Sequence, residues 1–162
     1  MEITFITTGG SIDKDYPKVT GGYAFELGEP AVKRILKKYK LNFKYEIISV
    51  IQKDSLDITE ADRESILNAC RKTSSDKIII THGTDTMLET AERVSEINDK
   101  TIVITGATKP ERFKESDAEF NLGCAVGAIS ELSSGIYIVM NGGVYPWDRC
   151  RRDENTGVFV EK

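Results

Sequence analysis

The feature that most constrains this chain is an alternation. Five short, β-branched apolar runs, residues 3–8, 45–51, 77–81, 101–105 and 136–140, are separated by stretches whose apolar residues recur at helical spacing. A strand with one face in water alternates apolar and polar residues. Runs that are apolar almost throughout fit a parallel sheet covered on both faces. Strand–helix repetition with right-handed crossovers then gives a doubly wound sheet. The expected fold class is α/β: a doubly wound, Rossmann-like or flavodoxin-like parallel sheet flanked by helices, one domain over residues 1–162.

Four helices are expected between the runs. The first opens at Glu29-Pro30 and buries Val32, Ile35, Leu36 and Tyr39. The second opens on the capping-box-like Thr59-x-x-Asp62 and buries Ile66, Leu67 and Cys70. The third follows Thr86-x-x-Glu89 and turns Met87, Ala91 and Val94 inward. The fourth follows Ser116-x-x-Glu119, with Phe120, Cys124, Ala128 and Leu132 on its buried face. Gly123 and Gly127 cost that helix propensity, which predicts close approach to the sheet.

Composition excludes several functions. A net charge of −4 gives nucleic acid or an anionic membrane nothing to attract. No apolar run approaches membrane-spanning length, and the start Met1-Glu2-Ile3-Thr4 lacks the basic and apolar segments of a signal peptide, so a cytoplasmic protein is expected. The three cysteines are scattered and read as reduced and structural. One histidine and no Cys/His cluster argue against a transition-metal site. The G-x-G-x-x-G pattern is absent, and no cofactor is expected.

Ligands of doubly wound sheets bind beyond the carboxyl ends of the strands. The first run is followed by Thr7-Thr8-Gly9-Gly10-Ser11, where two glycines permit a sharp turn among hydroxyls. A long polar stretch, residues 13–26, comes next and reads as a lid or binding segment. The second run leads into Lys53-Asp54-Ser55-Leu56-Asp57, where Asp57 or Thr59 is a helix cap. The third leads into His82-Gly83-Thr84-Asp85-Thr86 and directly into a helix, whose free amides suit a carboxylate or an oxyanion. The fourth ends at Thr105-Gly106-Ala107. The fifth ends at Asn141-Gly142-Gly143, followed by the basic run Arg149-Cys150-Arg151-Arg152, which usually marks a solvated face. Hydroxyls, a carboxylate and cations on one edge have the composition of a reaction site.

These residues resemble the bacterial-type L-asparaginases and glutaminases and their amidotransferase relatives. Thr8-Gly9-Gly10-Ser11-Ile12 looks like that family's T-G-G-T-I motif, and Ile80-Thr81-His82-Gly83-Thr84-Asp85-Thr86-Met87 matches its I-T-H-G-T-D-T-M signature residue for residue. Asp54-Ser55-Leu56-Asp57 resembles its substrate loop. Phe120-Asn121-Leu122 and Val139-Met140-Asn141 resemble further segments. The resemblance covers the family's larger N-terminal domain; members normally carry a smaller C-terminal domain and build the site across a subunit contact. It therefore implies a homodimer or larger assembly.

The resemblance also implies roles. Ser11 stands at the primary nucleophile position, Tyr23 polarises that hydroxyl, and Thr84 positions the attacking water. Asp85 binds a substrate α-ammonium and Ser55 the α-carboxylate, while Gly10, Gly83 and Ala107 line the substrate through their backbones. Two positions depart from the pattern. Leu56 stands where secreted-type members hold the substrate amine with glutamine. The family lysine falls on Arg152, within one residue, and arginine stabilises charge without serving as a base. The expected activity is hydrolysis of a side-chain amide of a small amino-acid-type substrate through a Ser11 acyl-enzyme. The alternative is a catalytically impaired module that binds an amino acid or related carboxylate.

Overall fold

Every residue of β1 (Glu2–Gly9) after Glu2 is buried, as in a strand enclosed between two layers. The computed structural model describes residues 1–16 and 25–162. After β1 come β2 (Lys14–Asp15), β3 (Glu26–Leu27), α1 (Ala31–Lys37), β4 (Lys44–Lys53), α2 (Glu60–Lys72), β5 (Lys77–Thr81) and α3 (Met87–Val94). The chain continues through β6 (Thr101–Thr105), α4 (Ala118–Ile129), β7 (Gly135–Met140), β8 (Gly143–Pro146), β9 (Cys150–Arg152) and β10 (Phe159–Glu161).

The main sheet has the order β4-β1-β5-β6-β7-β8. Its first five strands are parallel, and β8 returns antiparallel along β7. The chain passes from β1 outward to β4, then back across to β5, so strand order reverses between β1 and β5. That reversal is the switch point where such sheets bind ligands. Alternate side chains serve opposite layers. Ile78, Ile80, Ile102 and Ile104 pack with Ile66, Leu67, Met87 and Val94 of α2 and α3. Ile79 and Val103 face the other way, with Val32 and Ile35 of α1 and Leu122 and Ala125 of α4. Each such side chain contributes about 1.5–3 kcal/mol by leaving water.

The α2 start is the capping box expected from its sequence. Thr59 Oγ1 accepts from the Asp62 amide at 3.3 Å, and Asp62 accepts from the Thr59 amide at 2.8 Å. The hydrogen bond from Lys53, and then that from the Thr59 amide, draw the Asp62 carboxyl down to about 2.

The sheet is doubly wound and predominantly parallel as expected, with one antiparallel edge strand, because Asn141 (φ 55°) and Gly142 (φ 80°) turn the chain tightly from β7 into β8. Four other expectations are corrected. Tyr39 lies beyond the end of α1 and is exposed, its hydroxyl donating to Glu119 at 2.6 Å. The buried face of α4 carries Ala118, Asn121, Leu122, Ala125 and Ile129; of the expected face, Cys124, Ala128 and Leu132 pack partly buried at its flank, while Phe120 is exposed. Small alanines seat that helix on the sheet, and Asn121 is turned inward by its hydrogen bonds. Gly123 and Gly127 consequently face away from it, and a Cβ at either would meet nothing within 4 Å. Finally, Cys150–Arg152 is not a free basic run but a strand, paired with β10 and anchored by buried Cys150 and Phe159.

Candidate active site

Three loops meet at the switch point because two glycines let them. Gly10 has φ +83°, and a Cβ there would fall 2.5 Å from the Gly83 amide nitrogen. A Cβ on Gly83 would fall 2.6 Å from the Ser55 Cβ and 2.7 Å from its Oγ. The loops after β1 and β5 are therefore in backbone contact, and the Ser55 side chain of the loop after β4 packs against Gly83. Ser11 follows Gly10, and Thr84 follows Gly83, so both hydroxyl residues stand one position from that contact. Buried hydroxyls tie the strand ends beneath it: Thr8 Oγ1 donates to the Thr81 carbonyl at 3.0 Å, and Thr7 Oγ1 to Ser49 Oγ at 3.1 Å.

Ser55 sits in a 3-10 turn, Ser55–Asp57, and is almost fully buried. Its Oγ donates to Asp85 Oδ2 at 3.3 Å, and its carbonyl accepts from Thr86 Oγ1 at 2.7 Å. The second oxygen of Asp85 accepts from Arg152 Nη1 at 2.7 Å. Of the basic run it is thus Arg152 that reaches the strand ends, while Arg151 pairs with Asp153. Arg152 Nε also donates to the Gly157 carbonyl at 3.2 Å, so the guanidinium is held at two points.

His82 lies inside this frame rather than on its surface. Its Nδ1 is 2.8 Å from the Gly83 carbonyl, which fixes the proton on Nδ1, and its Nε2 accepts from Thr90 Oγ1 at 2.8 Å. Burial pushes the imidazole down to about 4. His82 is neutral at physiological pH and braces the turn that presents Thr84 and Asp85.

The remaining positions divide. Leu56 points outward, 76% exposed, at the rim beside Ser55. Ala107 is fully buried in the layer formed with α1 and α4. Tyr23 lies outside the described residues, as does most of the expected lid. On either side of it β2 pairs with β3, and Asp15 accepts from Arg112 at 3.0 Å. Asp13, 2% exposed, accepts from the Ala31 amide at 2.7 Å and so serves the start of α1. Desolvation raises its carboxyl to about 7, against the lowering effects of the Ala31 amide and Arg34 and with a small rise from Glu111.

Two residues whose individual part the sequence does not disclose, Asn121 and Asn141, stand behind this site. Asn121 donates to the Gly106 carbonyl and to Asp117, both at 3.0 Å, and accepts from the Asn141 amide at 3.1 Å. Asn141 in turn accepts from the Phe159 amide at 3.0 Å. The Asn141-Gly142 dipeptide was the available signal, since Asn-Gly favours a tight hairpin turn. The groove of about 330 Å³ between α1 and α4, lined by Leu36, Tyr39, Leu41 and Val126, is by contrast mostly apolar. Among the described residues no cluster of His, Cys, Asp or Glu could hold a metal, and no helix is long and apolar enough to cross a membrane.

Comparison with known proteins places the chain. The family model described as "Asparaginase, N-terminal" matches residues 2–158. L-asparaginase 2 of Escherichia coli is 32% identical over 172 residues, covering 99% of this chain and 49% of that protein. Glutaminase-asparaginase of Acinetobacter glutaminasificans is 27% identical, covering 98% of this chain and 50% of its own length. A glutamyl-tRNA(Gln) amidotransferase component of Methanococcus vannielii is 30% identical over 88% of this chain and 34% of its own. The thermostable L-asparaginase of Thermococcus kodakarensis shares the fold with a TM-score of 0.87 at 24% identity, over 99% of this chain and 51% of that one. The chain thus spans about half the length of the first two curated relatives.

Proposed function

This chain belongs to the asparaginase family, matched through its N-terminal domain, and from that premise we propose that it is an amidohydrolase acting on the side-chain amide of a small amino-acid-type substrate. The observation that carries the reading is the contact of Gly10, Gly83 and Ser55 at the reversal of strand order. It brings a nucleophile candidate, a second hydroxyl and a carboxylate to one edge.

In this reading Ser11 Oγ attacks the amide carbon. The tetrahedral oxyanion is met by donors at the turn and by the field at the start of α3. The seryl proton passes to the departing nitrogen as the C–N bond breaks, ammonia leaves, and an ester remains on Ser11. Water positioned by Thr84 then cleaves the ester and returns the proton to Ser11. Tyr23 would polarise the nucleophile in the first step. Asp85 receives the substrate ammonium and Ser55 its carboxylate, while Gly10, Gly83 and the Ala107 backbone line the amide.

Arg152 contributes charge to this unit but no general base, since arginine keeps its proton. General-base assistance is typically worth roughly 10²–10⁴-fold in rate, so turnover is expected to be slow. That ion pair also favours the second reading, a site that binds an amino acid or related carboxylate without hydrolysing it. The resemblance to a family whose members build the site across a subunit contact supports assembly into a homodimer or larger oligomer, checked by sedimentation.

Ammonia release separates the two readings. With asparagine, glutamine and simple amides as substrates, the hydrolase reading expects slow release that Ser11→Ala abolishes. Saturable binding of dicarboxylic amino acids, with no ammonia beyond the uncatalysed rate, would favour the binding reading.

A further inference from the structure

Arg152 is carried on a short hairpin outside the main sheet, and a hairpin of three paired residues has little strength of its own. Something must fix it for Arg152 to meet Asp85 reproducibly. The hydrogen bonds behind the site form a continuous path to it. Asn121, on α4 and 1% exposed, holds the Gly106 carbonyl with its amide nitrogen. Its oxygen accepts the Asn141 amide at the end of β7. Asn141 adopts φ 55°, a left-handed conformation that asparagine tolerates better than most residues. In that conformation its Oδ1 accepts the outward-facing Phe159 amide of β10 at 3.0 Å. Phe159 is buried and pairs across the hairpin with Arg152. From there Arg152 is bonded to Gly157 and to Asp85.

We propose that Asn141, backed by Asn121, is the positioning residue that locks the β9–β10 hairpin onto the end of β7 and so holds Arg152 on Asp85. The proposal rests on the hydrolase reading for its consequence in catalysis, but not for its geometry. Neither asparagine touches the reacting atoms. They act through the hairpin, and their loss displaces a guanidinium rather than removing one.

Two substitutions divide the interaction from the backbone requirement. Asn141→Gly keeps the left-handed conformation and loses the acceptor; Asn141→Asp keeps an acceptor and tolerates the conformation. The first readout is the Arg152 Nε–H resonance in ¹H–¹⁵N spectra, assigned through Arg152→Lys. The expected result is a shifted, faster-exchanging resonance in Asn141→Gly and a parent-like one in Asn141→Asp. The second readout is ammonia release. A guanidinium displaced by about 1 Å lowers kcat on the order of 10²-fold, with KM within about threefold and recovery in Asn141→Asp. Cooperative thermal unfolding verifies that each variant folds. Should Asn141→Gly not fold, Asn121→Ala cuts the same path one step back and is read in the same two ways.

An Arg152 resonance unchanged in the glycine variant, or changed equally in the aspartate variant, overturns the proposal whatever the activity. A resonance that shifts as expected in a protein with no turnover upholds the positioning role, and the hydrolase reading alone falls.

Discussion

Replacing Asp13 by asparagine should remove a pH dependence of stability from this protein. Unfolded, the Asp13 carboxyl ionises near 3.8; folded, burial holds it at about 7. Between those values the native state carries more protons than the unfolded chain, so this group makes stability fall as pH rises. The loss begins near pH 4, is complete just above 7, and amounts to about 4 kcal/mol as an upper bound. The parent's own curve hides the effect, because His82 works in the opposite sense. Its folded value of about 4 lies below its ordinary 6.5, so its stabilisation is complete above 6.5 and is lost as pH falls towards 4. The difference between variant and parent isolates Asp13. An asparagine oxygen still accepts the Ala31 amide, and any cost of its extra donor is independent of pH. Urea unfolding of both proteins at pH 4, 5.5, 7 and 8 should show the difference moving in favour of Asp13→Asn by about 2–4 kcal/mol across the series. That corresponds to roughly 5–15 °C in Tm for a domain of this size. A difference constant within about 0.5 kcal/mol from pH 4 to 8 would refute the reasoning.

Three further outcomes are expected. Arg152→Lys should raise the rate of ammonia release, by 10-fold or more if a base is restored, and Arg151→Lys should not, since Arg151 pairs with Asp153 away from Asp85; equal effects from both would place the base elsewhere. Gly10→Ala should destabilise by about 3 kcal/mol or more in chemical denaturation, because its Cβ would overlap the Gly83 backbone at 2.5 Å and its φ is +83°; a loss below 1 kcal/mol would show that the two loops are not in contact. His82 should show the ¹⁵N pattern of a neutral Nδ1–H ring down to about pH 5, and protonation near 6.5 would contradict its burial.

The parallel strands were legible because a strand covered on both faces needs apolar residues nearly throughout, and Ile78-Ile79-Ile80 or Ile102-Val103-Ile104 fit nothing else well. The strand-end segments were legible for a related reason: glycines, hydroxyls and charges recur together at the end of one strand after another, more often than local turns and caps require. The α4 face was not legible. Phe120, Cys124 and Ala128 make a plausible helical stripe, and nothing local reveals that Asn121 turns inward to bind Gly106 and Asn141. Hydrophobicity alone misjudges a helix whose register is set by one buried amide. The β9–β10 hairpin was hidden likewise, since Cys150 is a single apolar residue in a basic run and Val158-Phe159-Val160 is too short a run to mark a strand by itself. The family lysine could be aligned to Arg152 only to within one residue; sequence does not reveal that Arg152 is bonded to Asp85 and Arg151 to Asp153.

If Ser11 is the nucleophile of an amide-hydrolysing site, its ester can be trapped. The protein is incubated with an amino-acid amide analogue bearing an activated leaving group, quenched in acid, digested and analysed by mass spectrometry. An acyl mass is expected on the peptide containing Gly10-Ser11-Ile12, localised to Ser11 by fragmentation and absent from Ser11→Ala. An adduct on Thr84 with Ser11 unmodified, or ammonia release at the parent rate by Ser11→Ala, would contradict that role.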